Sequence, residues 1–483
     1  MKLRRRRVLL LATAAVASPA FGRLAWSEAR PLAERLAEYA DRLRYDDLDA
    51  ATIEQVKILV IDTIGCGIAA FDEQPVRACR DIALAAAGGV STVIGTDRRT
   101  TPDLASFANG AAFRYWDLND IYLPKGVAQG AHPSDHIAAC LSVAEAEKKS
   151  GQALITAIVL GYEINCRLVD AINLADRGWD PPVLSLPAVA LAAGKLMKLS
   201  PEKLAQAVSL AINDHIPLGQ TRKQTMSDWK GLADAEANRN AVFAAMLARA
   251  GLTGPAPIFE GALGFFQLVS GPADVDTASF GGRNSEFRVH KVGLKPYPVV
   301  VHAQTSILAG MAVAKEVGDL DRIASIEIAT TQRGYQMTGS EVEKWSPQTR
   351  ETADHSLPYV AARAMFDGDI NHRSFEPDKL RDPRIIAFMR KIIVKPDPSF
   401  DKFDGAPPVR ITAILSDGQR IVEQVDNMPG FPGQLMTRGD VERKFRSNID
   451  TRWPRERTDA VLQSLWSLEG TRDLSALIGQ LRV

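Results

Sequence analysis

The chain has 483 residues, of which 46% are hydrophobic and 24% charged, and its 58 basic residues balance 58 acidic ones. That length exceeds one ordinary core, and the composition excludes a chain dominated by disorder. Without residues 1–29 the balance would be 52 basic against 57 acidic residues, which argues against a nucleic-acid footprint.

The chain begins MKLRRRRVLLLATAAVASPA, a basic run followed by a short apolar stretch and then small residues. Arg4 to Arg7 directly precede Val8-Leu9-Leu10, in the manner of a twin-arginine export signal, although the usual Ser or Thr before the pair is missing. The apolar part, Val8 to Ala17, is too short to span a bilayer. Residues 1–29 are therefore expected to be a signal, cleaved after Ala20 or Ala29, and the mature protein to be periplasmic. Without such a signal it would be cytoplasmic.

Residues 30–285 read almost entirely as helix. In DAATIEQVKILVIDTIGCGIAAF the apolar residues recur at helical spacing, and Gly65 and Gly67 predict a close helix–helix approach. Thr101-Pro102 and Ser200-Pro201 each place a capping hydroxyl before a proline, which marks a helix start. Small residues repeat in LPAVALAAGKLMKL and NAVFAAMLARAGLTG, as in tightly packed antiparallel helices. Cys66, Cys79, Cys140 and Cys166 lie in apolar helical patterns without C-x-x-C spacing, so no zinc or iron–sulfur site is expected.

From residue 286 the texture changes. RIASIEIATT and PVRITAILSDGQRIVEQV alternate apolar and polar positions, with Asp417-Gly418 as a hairpin turn. HSLPYVAARAMFDG between them returns to helical spacing, so residues 286–428 read as a smaller α+β domain. The tail, 429–483, includes the amphipathic TDAVLQSLWSLEG and is expected to pack back on the helical domain.

Candidate chemistry concentrates in RYWDLNDIYLPKGVAQGAHPSDHIA, where Asp117 and Asp120 precede His132 and His136. Asp117 could orient the His132 imidazole or act as a base itself, while Ser134 and Asp135 could simply start a helix. From spacing alone these readings are evenly matched. Lys230, between Trp229 and Gly231, and Lys295, seven residues before His302, are surface charges by default but could reach into a cleft. Arg222 could hold a carboxylate bidentately. The set reads as rich in cations and poor in acids, which suits a polycarboxylate.

The blocks ANGAAFRYWDLND, AHPSDHIAACLSVAEA, GYEINCRL, DWKGLADAEANRNAVFAAMLARAGLTGP, LKPYPVVVHAQTS and RETADHSLPYVAARAMFDG together resemble the MmgE/PrpD family. Its members include 2-methylcitrate dehydratase, cis-aconitate decarboxylase and an iminodisuccinate epimerase. The resemblance implies a mainly α fold, with a large helical domain and a smaller α+β lid. It also implies a homodimer whose site needs neither metal nor organic cofactor. Carried over, it makes Asp117, His132, Lys230, Lys295 and Tyr359 catalytic and matches a family His-x-Gln with His302 and Gln304. With Arg222 and His355, read from the residues themselves, these two are expected around the substrate. Many relatives have a histidine after the Gly-Tyr-Glu block where this chain has Asp180-Pro181-Pro182, so the resemblance does not extend to a particular substrate.

The implied activity is a cofactor-independent lyase, foremost a hydro-lyase of a 2-methylcitrate-like acid. His132, held by Asp117, and Tyr359 would share the acid and base roles. The same cations would serve a decarboxylase or an epimerase. An exported protein that binds polycarboxylates without turnover is the reading outside catalysis.

Overall fold

A computed structural model describes residues 30–86, 88–124, 129–449 and 452–483. The expected signal segment lies outside the described residues. The fold is mainly α. Helices Leu32–Arg42, Ala50–Ala69, Pro102–Arg114, His136–Ala146, Gly151–Ala171, Ser185–Leu196, Pro201–Asn213 and Ala233–Arg249 form a bundle around one apolar core. Gly151–Ala171 is apolar and long enough to cross a membrane, but most of it is buried inside this bundle.

Local chemistry accounts for the helix ends. Asp49 starts Ala50–Ala69 by accepting from the Thr52 amide at 2.7 Å, and Ser200 caps Pro201–Asn213 through Lys203. Thr101 also precedes a helix that begins at its proline, but its hydroxyl makes no capping bond. The two glycines of Ala50–Ala69 are close-packing sites. A Cβ on Gly65 would stand 2.9 Å from the Phe445 ring, and one on Gly67 would stand 2.3 Å from that of Phe113.

The smaller part is a four-stranded sheet in the order Ile392–Pro396, Ile323–Thr330, Val409–Leu415, Arg420–Val425. Ile392–Pro396 runs parallel to Ile323–Thr330, and the other neighbours are antiparallel. Gly418, at φ +87°, lets the chain turn between Val409–Leu415 and Arg420–Val425, as the Asp-Gly pair predicts. Helices Gln304–Val317 and Leu357–Asp367 pack together beside this sheet and enclose a second apolar core. Ser356 caps the latter helix and Gly368 ends it in left-handed backbone.

The changeover between the two cores falls after Leu294, since Phe287, Val289, Val292 and Leu294 still pack into the helical core and the second begins at Val299. Beyond the sheet, helices Arg438–Ile449 and Arg455–Trp466 place Val441, Phe445, Leu462 and Leu465 in the helical core. Lys444 there forms an ion pair with buried Asp62 (2.6 Å) and donates to the Leu118 carbonyl (2.8 Å).

One short antiparallel pair matters most for the site. Asp120–Tyr122 pairs with Val292–Leu294, with Asp120 opposite Leu294. Residues 178 positions apart in the chain, Asp117 and Lys295, thereby meet.

Candidate active site

Asp117 is the hub. The Pro102–Arg114 helix ends just before it, and the Asp117 amide donates back to the Arg114 carbonyl. Its backbone is left-handed (φ +51°), a conformation that Asp tolerates better than most residues. The carboxylate is buried. Lys295 Nζ reaches Oδ1 at 2.7 Å and the Asp117 carbonyl at 3.0 Å, while Lys230 Nζ lies 3.1 Å from Oδ2. Arg114 adds a guanidinium contact, and His355 Nε2 lies 4.0 Å from Oδ2. Burial opposes its charge, but Arg114, Lys230 and Lys295 together hold the Asp117 carboxyl well below the usual range.

Both lysines are 1% exposed, so the surface reading of an isolated lysine fails for each. Burial lowers the Lys230 ammonium and brings that of Lys295 down to about 8, against the pull of Asp117. The Lys230 turn is tied to the α+β part by the Met226 amide, which donates to Thr352 Oγ1 at 3.1 Å, and by Thr349 Oγ1, which donates to the Met226 carbonyl at 2.9 Å.

His132 is placed by Asp120, not by Asp117. Its Nδ1 lies 2.6 Å from the Asp120 carbonyl, which can only accept, so Nδ1 carries the proton and Nε2 is left with a lone pair. The Asp120 carboxylate accepts from the Ser134 amide and hydroxyl and from Tyr162 (2.8 Å), locking the His132-Pro133-Ser134 turn. Burial, reinforced by Arg114 and Lys295, keeps the imidazole far below its ordinary pKa and hence neutral. His136, one turn on, lies in the bundle core against Tyr162 and is absent from the cavity wall.

A cavity of about 1290 Å³ opens beside this cluster, lined among others by Asp117, His132, Lys295, His302, His355, Asp180 and Arg222. The structure thus gathers most of the sequence-predicted set, with three corrections. Tyr359 is buried in the second core, where its hydroxyl donates to the Ser374 carbonyl at 2.7 Å and does not reach the cavity. Gln304 also stays out of the wall. Its amide spans the Tyr297 and Val299 carbonyls at 2.8 and 2.9 Å, bracing the loop after Lys295. Lys230 touches the site through Asp117 rather than lining the cavity.

The acids are also more numerous than the cation-rich reading supposed. Arg222 is already paired with Asp180 and lies 3.4 Å from Asp234, while Arg114 has Asp135 and Asp234 at 3.6 and 3.7 Å. Asp180 is thus a partner for Arg222, with Oδ2 unpartnered. His355 is held through Nδ1 by Asp354, which Arg350 also binds at 3.0 Å. Sequence reasoning missed Arg333, a cation in the same wall whose only signal was its place at the start of the short Gln332–Thr338 helix, just after a strand end. Among the described residues no group of three or more His, Cys, Asp or Glu side chains is arranged to hold a metal ion.

The chain belongs to the MmgE/PrpD family: residues 34–278 match its N-terminal domain and residues 297–468 its C-terminal domain. It is similar to a cis-aconitate decarboxylase-like protein of Aspergillus oryzae, 26% identical over 92% of this chain and 95% of that protein. It is 25% identical to the cis-aconitate decarboxylase of Mus musculus, over 93% of each chain. The 2-methylcitrate dehydratase of Cupriavidus necator is 26% identical over 87% of this chain and 90% of its own length. Dehydration and decarboxylation are both lyase reactions.

Proposed function

We propose that this protein is a cofactor-independent lyase of polycarboxylates, foremost a dehydratase of a hydroxy-tricarboxylate of the 2-methylcitrate type. The observation that carries this reading is the neutral His132, its Nε2 unprotonated, which lines the same cavity as Lys295. A base and a proton donor of distinct character thus share one space.

In the proposed step, His132 Nε2 removes a proton from the carbon beside a carboxylate. The electron pair forms the C=C bond as the C–O bond breaks, and Lys295, poised near pH 8, protonates the leaving hydroxyl to water. Charge building on the substrate carboxylate is met by fixed cations in a largely buried site. Asp117 is too strongly held as a carboxylate to donate, and with three cations around it, it is a poor base.

Similarity to dehydratases and decarboxylases is even, which favours decarboxylation as the second reading. Loss of carbon dioxide would also leave a carbanion that needs a positioned proton donor. Product analysis on 2-methylcitrate and on cis-aconitate separates the two. His132→Gln should lower turnover by roughly 10²–10⁴-fold on the true substrate. Unchanged turnover in the folded variant removes His132 from the chemistry. The basic N-terminal segment and the family resemblance support an exported homodimer; cell fractionation and light scattering on the mature chain test both points.

A further inference from the structure

Six cations in the cavity wall already have protein anions. Arg114 and Lys295 pair with Asp117, Arg222 with Asp180, Arg288 with Asp170, Lys291 with Glu286 and Lys223 with Glu341. Arg333 is different. It enters the wall from the short Gln332–Thr338 helix, and among the described residues its side chain forms neither an ion pair nor a hydrogen bond. Its Nε is buried without a partner, and Asp176 acts on the guanidinium only from beyond ion-pair range.

A second unsatisfied group stands nearby. The Val301–Ala303 turn packs against the Gln332–Thr338 helix and presents His302, 6% exposed, in the same wall. Its Nδ1 has no partner. Burial, helped by the Arg333 charge, brings its pKa down to about 3, so the ring is a neutral N–H donor. Burying a guanidinium edge and an imidazole nitrogen without partners is costly unless a ligand completes them. A guanidinium beside a neutral N–H donor fits a carboxylate better than it fits a second cation or an apolar group.

We propose that Arg333 and His302 form a carboxylate subsite, separate from the Asp117 cluster, that holds a carboxylate of the substrate remote from the reacting carbon. This rests on the polycarboxylate reading of the same cavity and makes Arg333 a determinant of which acids are accepted. The test titrates tricarballylate, which has three carboxylates and no hydroxyl to lose, into wild type, Arg333→Gln, Arg333→Lys and His302→Asn. Citrate and succinate are measured alongside.

Arg333→Gln should weaken tricarballylate binding by roughly ten- to a hundredfold. Arg333→Lys should recover part of that loss, since an ammonium cannot make the bidentate contact, and His302→Asn should lose less than Arg333→Gln. Equal tricarballylate affinity in wild type and in folded Arg333→Gln overturns the subsite while leaving the polycarboxylate reading in place. Wild type that binds none of the three acids overturns both.

Discussion

Two groups of polar side chains serve one cavity and are built on opposite principles. Around Asp117, Arg114, Lys230 and Lys295 converge on a single carboxylate and are buried. Where the Gln332–Thr338 helix packs on the Val301–Ala303 turn, Arg333 and His302 face the same space with polar atoms unsatisfied. The first arrangement spends its charge internally and so holds its geometry without a ligand. The second leaves its hydrogen-bonding capacity open. A preorganised reaction centre and a recognition site need these opposite properties.

The comparison breaks most visibly at Asp117. Asp117→Ala removes the common partner of three buried cations and should cost about 3–5 kcal/mol in denaturant unfolding. A loss under 1 kcal/mol would mean that the cluster does not hold its members in place. Gly67→Ala tests the packing beneath it, because the new methyl would meet the Phe113 ring next to Arg114. Overpacking there should cost about 1–3 kcal/mol, read as a lower Tm.

The pH profile sharpens the contrast further. With the Lys295 pKa brought down to about 8, mainly by burial, kcat/KM should fall as pH rises through 8. Stability should move the other way: between pH 8 and the ordinary 10.5 the folded lysine is neutral while the unfolded one is charged. Wild type should therefore gain stability relative to Lys295→Met across that window, in paired melts at each pH. With His132 held neutral far below its ordinary range, no acidic limb near pH 6.5 should appear.

The smallest effect belongs to Arg333. Because its side chain makes no internal bond, Arg333→Gln should lower stability by no more than about 0.5 kcal/mol, in contrast to Asp117→Ala. A large loss of stability would show that Arg333 serves the fold rather than a ligand.

Much of the site was legible in local patterns. Proline-led helix starts, the glycine approach sites and the Asp-Gly hairpin follow from backbone sterics acting over a few residues, and they stand where the sequence put them. The motif blocks also named Asp117, His132, Lys230 and Lys295, which the structure brings together. Partners across the chain were not legible. Asp120 rather than Asp117 holds His132, Tyr359 turns into a core, and the Ile392–Pro396 strand was passed over because its run is short and flanked by charge.

The sequence by itself determined the element types, the family and the residue chemistry on offer, since these depend on side-chain size, periodicity and short spacings. Only the tertiary structure decided which charges are spent on each other and which remain open. Pairing depends on where the 120–122 and 292–294 strands register and how deeply each group is buried, and those are properties of distance and dielectric that no linear spacing encodes.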